Sequence, residues 1–383
     1  MTTPPPEHTW RGTLLLAASL VVFSFVLVAL PIQWPLDDFV EYWAAGKLNA
    51  AGRNPYEPAA MLEEQRRVGW QPSTPDMMYN PPWTLALAMP MGAMTFQAAR
   101  SIWLPVQIVI TLWCASTLWL LYGGSRVHRA RVCCLALLWM PALVALRMGQ
   151  LSTVILLGLV GFVWAISRNR ELAAGIFISL TAVKPQLVAL VGVPVAFWVI
   201  VNGRWTVLAG ATVSIAAASL AAMSTNPGVF GQYQQLIASA PPTLAFESPN
   251  IATILRAAMG TAGSWPQYVP VCLGAAAVGL TWYRRRARWD WPSRLPGLVL
   301  ISCFLTPYGG WAFDLVILLI PILATAAIVA RHGSGTLVGV AAAVFAGISF
   351  VAFVMHAAHV PQSAFVWMTP AVAISCYLLK RRI

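Results

Sequence analysis

Two adjacent carboxylates, Asp37 and Asp38, follow the first long apolar run of the chain and precede Phe39 and Tyr42. Neighbouring carboxylates repel each other, so such a pair tends to raise the pKa of one member or to attract a cation. The pattern fits a general base near a membrane surface. It equally fits the solvated start of a loop or the cap of a helix.

Polar and basic residues also stand at the turns between later apolar segments. Lys184 precedes Pro185 at the apex of one of them. A lysine inside a membrane protein is costly unless it is paired or faces a cavity, so Lys184 either binds an anionic head group or extends its ammonium to the surface. The further residues of this kind are Arg147, Gln150, Arg256, Tyr308 and Asp314. An acidic pair and several cations on one face suit an anionic lipid beside a general base.

Composition places these residues in a membrane protein. Of the 383 residues, 59% are hydrophobic and 9% are charged, whereas a soluble domain carries roughly 25% charged residues. A single core cannot hide so much apolar surface, so the excess faces lipid. The net charge of +12 comes from short basic clusters between apolar runs, which indicates membrane orientation and not a nucleic-acid partner.

The six cysteines lie within apolar stretches or at their edges. Their spacing indicates neither a metal site nor a disulfide framework. We therefore expect no metal and no cofactor, although a divalent cation is not excluded.

The basic clusters predict the topology when all of them are placed in the cytoplasm. They are Arg11, Arg126 to Arg131, Arg168 to Arg170, Arg204, Arg284 to Arg294, Arg331 and Lys380 to Arg382. The result is an all-α, multi-pass bundle with both termini cytoplasmic and about 12 embedded segments, beginning with a retained helix from Thr13 to Leu30. The stretch between Arg170 and Arg204 is too short for two full crossings, so we predict a broken hairpin with its apex at Lys184.

Residues 1–383 are interpreted as a single integral membrane domain with two longer outer segments, 31–100 and 224–266. Within the first, Pro58 to Trp70 predicts a short amphipathic helix on the membrane surface. The run from Pro81 to Met94 is too short to span and predicts a re-entrant or packed half-helix. In the second, Asn226-Pro227 predicts a helix start.

Six short motifs follow one another along the chain. They are Asp38-Phe39-x-x-Tyr42, Gly52-x-Asn54-Pro55-Tyr56, Tyr79-x-Pro81-Pro82, Gly149-Gln150, Lys184-Pro185 and Pro307 through Asp314. This ordered set resembles glycosyltransferase family 87, a group of membrane enzymes of the GT-C superfamily. The resemblance covers the chain from about Asp37 to Pro321.

The resemblance implies a GT-C type bundle that transfers one sugar, most often mannose, from a polyprenyl-phosphate-sugar donor. The acceptor would be a glycan or glycolipid at the outer face of the cell membrane, and the anomeric centre would invert. It also implies a catalytic Asp in the first outer loop, which is Asp38 here, with Asp37 as the fallback. The cations implied for the donor phosphate are Lys184, Arg147 and Arg256. The candidate substrate-binding residues are Tyr42, Tyr56, Tyr79, Gln150, Gln186, Tyr308 and Asp314.

Two other classes of protein fit parts of this pattern. A lipid or solute transporter or flippase also needs charge inside the membrane and broken helices, but the sequence shows no internal repeat. A glycan ligase would move a whole glycan from a lipid-diphosphate donor. The sequence alone leaves the ligase open.

Overall fold

A computed structural model of the chain describes residues 34–239, 247–259 and 265–383, and no strand occurs in these ranges. The predicted all-α class is therefore confirmed. The predicted first helix, Thr13 to Leu30, lies outside the described residues. The α-helices are, in chain order, α1 (Phe39–Ala50), α2 (Pro58–Arg67), α3 (Leu85–Gly92), α4 (Phe96–Leu121), α5 (Arg129–Leu137), α6 (Met140–Met148), α7 (Ser152–Ile166), α8 (Glu171–Ser179), α9 (Ala189–Val201), α10 (Trp205–Thr225), α11 (Val229–Ser239), α12 (Ile251–Met259), α13 (Val269–Arg285), α14 (Trp291–Leu305), α15 (Leu319–His332), α16 (Gly335–Ala357) and α17 (Met368–Lys380).

Several helical segments are long and apolar enough to cross a membrane. In the described part of the chain these are Phe96–Leu121, Trp205–Thr225, Ala312–His332, Gly335–Ala357 and Gln362–Lys380. The segments Arg126–Leu137 and Met140–Met148 form a further candidate that bends by 62° at its break. These spans make the chain a multi-pass membrane protein, while the predicted total of about 12 embedded segments stays a prediction.

Helices α10 and α16 carry large apolar side chains on their outward faces. Leu220 is 66% exposed and Phe350 is 67% exposed. Apolar residues around a whole helix indicate that lipid, not water, covers the outer face.

The predicted broken hairpin is present between Arg170 and Arg204. Helix α8 continues as a 3₁₀ turn over Leu180–Val183, and a second 3₁₀ turn over Pro185–Val188 leads into α9. Between the two turns, Lys184 has an extended backbone with φ of −141°. Pro185 lacks an N–H and disfavours a helical conformation at Lys184, which explains the break at this position.

The run from Pro81 to Met94 forms a 3₁₀ turn over Pro82–Thr84 and the short helix α3. Helix α3 packs against α1 through glycines: a Cβ at Gly46 would lie 2.1 Å from the carbonyl oxygen of Ala88. The predicted half-helix is therefore held against protein. This packing fixes the position of α1, which begins at the candidate base.

The predicted amphipathic helix in the first outer segment corresponds to α2, and it is docked onto protein. Its Glu64 is buried and lies 2.9 Å from Lys47 Nζ of α1 and 3.2 Å from Arg53 Nη1. The segments 31–100 and 224–266 also contact each other, because Nδ2 of Asn226 donates to Oδ1 of Asn49 at 3.3 Å. Helix α11 begins three residues after Asn226.

Residues beside three of the basic clusters meet at one end of the bundle. The hydroxyl of Tyr122 donates to the carbonyl of Pro292 at 2.6 Å, and the side chain of Arg331 packs beside Gly123. The turns that contain Gln150 and Lys184 meet elsewhere, in the site described next.

Candidate active site at the helix breaks

Asp38 occupies the N-cap position of α1, where an aspartate usually accepts a hydrogen bond from the first helical turn. Its side chain makes no such bond. Instead, Oδ2 of Asp38 accepts a hydrogen bond from Nε2 of Gln150, in the turn between α6 and α7. A capping role therefore does not describe this carboxylate.

Gln150 connects Asp38 to two further predicted site residues. Its side-chain oxygen accepts hydrogen bonds from the hydroxyl of Tyr42 at 2.8 Å and from Nζ of Lys184 at 3.2 Å. Gln150 is 2% exposed. A side-chain amide both donates and accepts, so one glutamine holds a carboxylate and an ammonium at once.

The ammonium of Lys184 is paired with a second carboxylate. Nζ lies 3.1 Å from Oδ1 of Asp314 and 4.9 Å from the ring centre of Phe313. Asp314 also accepts hydrogen bonds from the hydroxyl of Ser152 and, at 2.9 Å, from the backbone N–H of Trp311. The side chain of Lys184 is only 11% exposed, so the lysine does not extend its charge to the membrane surface.

Further carboxylates surround the candidate base. Burial raises the pKa of Glu41, and the charges of Asp76 and Asp38 raise it further. Burial and the charge of Asp38 raise the pKa of Asp76 to about 7. The backbone of Asp76 is fixed by the buried amide of Gln65, which accepts from its N–H at 3.0 Å and donates to its carbonyl at 2.6 Å.

The pKa of Asp38 itself is raised, mainly because the carboxylate is buried. The hydrogen bond from Gln150 and the charge of Lys184 act in the opposite direction, and the charges of Asp37 and Asp314 raise the pKa again. A carboxylate with a raised pKa is a stronger base once it is ionised, which is what proton abstraction near neutral pH requires.

Arg147 and Arg256, the two predicted arginines, lie in different surroundings. The side chain of Arg147 is 66% exposed, and its Nε lies 3.8 Å from Oδ2 of Asp37. Arg256 is buried and donates to Gln267 Oε1 at 2.8 Å, to the Pro307 carbonyl at 3.3 Å and to Thr253 Oγ1 at 3.0 Å. Arg147 therefore presents its charge to a ligand more openly than Arg256.

The remaining predicted substrate-binding residues are Tyr56, Tyr79, Tyr308 and Gln186. Tyr56 is buried, its ring lies 5.3 Å from that of Tyr233, and its hydroxyl donates to the Asn80 carbonyl at 3.2 Å.

Tyr79 lies close enough to Glu41 and Asp76 that their charges raise its pKa, after the effect of burial. Tyr308 packs edge-on against Tyr268, with 6.3 Å between ring centres. The backbone carbonyl of Gln186 accepts from the hydroxyl of Thr306 at 3.0 Å. These contacts place Tyr79 beside Glu41 and Asp76, and they place Tyr56 in the packing between the segments 31–100 and 224–266.

Glu41, Asp76 and Ser152 were not predicted as site residues from the sequence. The spacing could have indicated Glu41, because a charged residue one turn from Asp38 on an apolar helix lies on the same face as Asp38. No spacing could have indicated Asp76, since it stands in a loop without regular spacing. In the part of the chain that the structure describes, no group of three or more His, Cys, Asp or Glu residues is arranged to hold a metal ion.

Comparison with known proteins gives two similarities. The family model described as Glycosyltransferase family 87 matches residues 79–307. The crystal structure of ArnT from Cupriavidus metallidurans in the apo state is similar over 98% of this chain and 73% of that chain, with 16% sequence identity and a TM-score of 0.45. No curated protein matches the chain. The matched range contains Gln150 and Lys184, whereas Asp38 precedes it and Asp314 follows it.

Proposed function

The chain belongs to glycosyltransferase family 87, and we propose that it transfers one sugar from a polyprenyl-phosphate-sugar donor to a glycan or glycolipid acceptor. We further propose that transfer occurs on the non-cytoplasmic face of the cell membrane, and that mannose is the first sugar to test. The enzyme class follows from the family, and the donor, sugar, acceptor and face are parts of the proposal.

One observation carries the assignment of the base. The carboxylate of Asp38 makes no bond to the helix that it precedes and instead accepts a hydrogen bond from Gln150. We propose that its other oxygen receives the proton of an acceptor hydroxyl. Because burial raises its pKa, Asp38 binds a proton more readily than an exposed aspartate does.

In the proposed reaction, Asp38 takes the proton of the acceptor hydroxyl while the hydroxyl oxygen attacks the anomeric carbon. The bond between that carbon and the phosphate oxygen breaks, and its electron pair leaves with polyprenyl phosphate. A single displacement from the opposite side inverts the anomeric centre. The acceptor proton ends on Asp38, and the leaving phosphate gains one negative charge.

The negative charge on the departing phosphate needs a cation nearby. The three candidate cations differ in their partners and in their exposure. Lys184 is neutralised by Asp314 at 3.1 Å and holds Gln150 in place. Arg256 is engaged within the outer turn by Thr253, Gln267 and Pro307. Arg147, with two thirds of its side chain exposed next to Asp37, is the one that we propose to contact the phosphate first.

Sidedness and domain organisation complete the proposal. We propose that the basic clusters near Arg126, Arg294 and Arg331 are cytoplasmic, with the termini on the same side. Proximity of Tyr122 to Pro292 and of Gly123 to Arg331 supports placing these clusters at one end. The catalytic end, with the segments 31–100 and 224–266, would then face outward as part of a single domain.

The test uses purified protein in lipid vesicles with a donor labelled in its sugar. Polyprenyl-phosphomannose and a second polyprenyl-phosphosugar are supplied in parallel with a lipid and glycan extract as acceptor. The proposal expects label in a larger product, with the label retained as one added sugar. Transfer only from a lipid-diphosphate glycan, or movement of intact donor across the vesicle without transfer, would overturn it.

A further inference from the structure

Three side chains on one face of α4 point at the end of α6. They are Arg100, Trp103 and Gln107, which we call the α4 donor row, and their spacing of three and four residues keeps them on one helical face. Arg100 and Gln107 are buried, at 1% and 0% exposure, and Trp103 is 7% exposed. A buried arginine and glutamine in a helix long enough to span a membrane need partners.

Their partners are backbone carbonyls between Ala145 and Gln150. Nη2 of Arg100 donates to the carbonyls of Leu146 and Arg147, both at 2.6 Å. Nε1 of Trp103 donates to the Gly149 carbonyl at 2.8 Å.

Nε2 of Gln107 continues the row with a bond to the carbonyl of Gln150 at 2.8 Å, and it also contacts the Ala145 carbonyl at 3.3 Å. A helix leaves its last four carbonyls without partners in the helix itself. The donor row therefore supplies donors to carbonyls in the last turn of α6 and in the turn that follows it.

The turn that the row holds contains the residue that binds Asp38. Gly149 adopts a left-handed conformation, with φ of 70°, so the chain reverses sharply just before Gln150. The backbone carbonyl of Gln150 is fixed by Gln107, and its side chain reaches Asp38, Tyr42 and Lys184. A small shift of this turn moves the Gln150 amide away from the carboxylate.

We propose that the α4 donor row acts as a set of positioning residues for the transfer reaction, by fixing the turn that aims the Gln150 amide at Asp38. This inference rests on the proposed function, in which Asp38 is the base. The row itself does not contact the reacting atoms. It sets how far the Gln150 amide lies from Asp38, and so how strongly that hydrogen bond stabilises the ionised carboxylate.

Trp103→Phe tests the inference, because it removes the indole N–H and keeps an aromatic ring. Trp119→Phe is the matched control. Trp119 lies on the same helix, is 3% exposed, and donates its indole N–H at 2.8 Å to the carbonyl of Ser125, far along the helix from the site. Both variants lose one indole-to-carbonyl bond and a similar buried volume, so a general loss of stability should affect both.

The readouts are kcat, donor KM and the pH dependence of kcat/KM for sugar transfer in vesicles. We expect Trp103→Phe to lower kcat on the order of 10- to 100-fold, as misplacement of a catalytic group does. The acidic limb of its pH profile should move to higher pH, because the hydrogen bond from Gln150 lowers the pKa of Asp38. Trp119→Phe should keep both the turnover and the pH limb of the unaltered protein.

Gln107→Met provides a second variant of nearly the same side-chain length without the donor. If it lowers kcat and moves the pH limb like Trp103→Phe, the row positions the turn. If both variants match Trp119→Phe in kcat and pH profile while the unaltered protein transfers sugar, the inference is wrong and the row is only a structural cap. Absence of transfer by the unaltered protein would instead overturn the proposed function.

Discussion

The side-chain amide of Gln150 donates a hydrogen bond to the carboxylate of Asp38, although 112 positions separate the two residues in sequence. Asp38 comes from the segment 31–100, and Gln150 comes from a turn between two buried helices. The bond ties the candidate base to the body of the bundle. It also stabilises the ionised form of Asp38, in opposition to burial.

Gln150→Leu should remove this stabilisation while filling the same space. We expect a lower kcat, and an acidic limb of kcat/KM that moves to higher pH because Asp38 then binds its proton more tightly. The measurement is a pH series of sugar transfer from pH 5 to pH 8. Thr153→Val, a buried substitution on the neighbouring helix α7, is the control. An acidic limb of Gln150→Leu at the same pH as that of the unaltered protein would contradict the prediction.

The pair formed by Lys184 and Asp314 should be stabilising only when complete. Removing one partner of a buried pair leaves an uncompensated charge and destabilises by about 3–5 kcal/mol. Lys184→Met and Asp314→Leu should therefore each lower the melting temperature, and the double variant should recover much of the loss.

Sugar transfer should stay low in the double variant, because the side-chain oxygen of Gln150 has then lost Lys184 and keeps only the hydroxyl of Tyr42 as a donor. The measurement is thermal unfolding in detergent alongside transfer in vesicles. Single variants as stable as the unaltered protein would show that Lys184 is not held by Asp314, which would favour its direct contact with the donor.

Arg147→Gln should weaken use of the donor without unfolding the protein. Loss of a charge-assisted hydrogen bond of about 1.5–3 kcal/mol corresponds to a rise in donor KM of about 10- to 100-fold. Arg256→Gln is the contrasting variant, and it should mainly lower thermal stability because it removes the buried guanidinium that donates to Gln267 and to the Pro307 carbonyl. An unchanged donor KM in Arg147→Gln would remove Arg147 from the phosphate site.

Asp76→Asn should make the protein more stable at neutral and alkaline pH. Burial and the charge of Asp38 raise the pKa of Asp76 to about 7 in the folded protein, so the folded state holds this proton more tightly than the unfolded chain does. The stability from that proton is complete below the unfolded pKa of about 4 and is lost as the pH rises to about 7.

The amide that replaces the Asp76 carboxyl does not titrate, so the stability of Asp76→Asn does not fall in this way as the pH rises. The difference in melting temperature between the variant and the unaltered protein should therefore grow from pH 4.5 to pH 8. Thermal unfolding in detergent measures it. Glu63→Gln serves as the control, because Arg53 lowers the pKa of that exposed carboxylate and the effect has the opposite sign. A constant difference across the pH range would show that Asp76 is already ionised at low pH.

Local chemistry made parts of this fold predictable. The hairpin between Arg170 and Arg204 had to break because it is short, and Pro185 marked the position of the break. The helix near Pro58 followed from its amphipathic spacing, and the helix start near Asn226 followed from capping and proline preferences. Asp38 was singled out by its aromatic neighbours and by the family resemblance. Each of these signals lies within a few residues of the feature it predicts.

The contacts between distant segments were not predictable. Lys184 was assigned to a donor phosphate because its charge needed a partner, but pairing with Asp314 depends on how two turns meet. Asp76 enters the acidic group through the amide of Gln65, which no local pattern reveals. Arg100 was counted at the end of the first outer segment, yet it lies buried in α4. Total span number stayed open because broken helices are shorter than a membrane is thick.

The central claim is that Asp38 is the general base, and the most direct test compares Asp38→Asn with Asp37→Asn. Turnover and donor binding are measured separately, in vesicles, at equal protein levels. We predict that Asp38→Asn lowers turnover by about 10²- to 10⁴-fold with donor binding nearly unchanged, and that Asp37→Asn has a much smaller effect on turnover. Turnover of Asp38→Asn equal to that of the unaltered protein would show that Asp38 is not the general base.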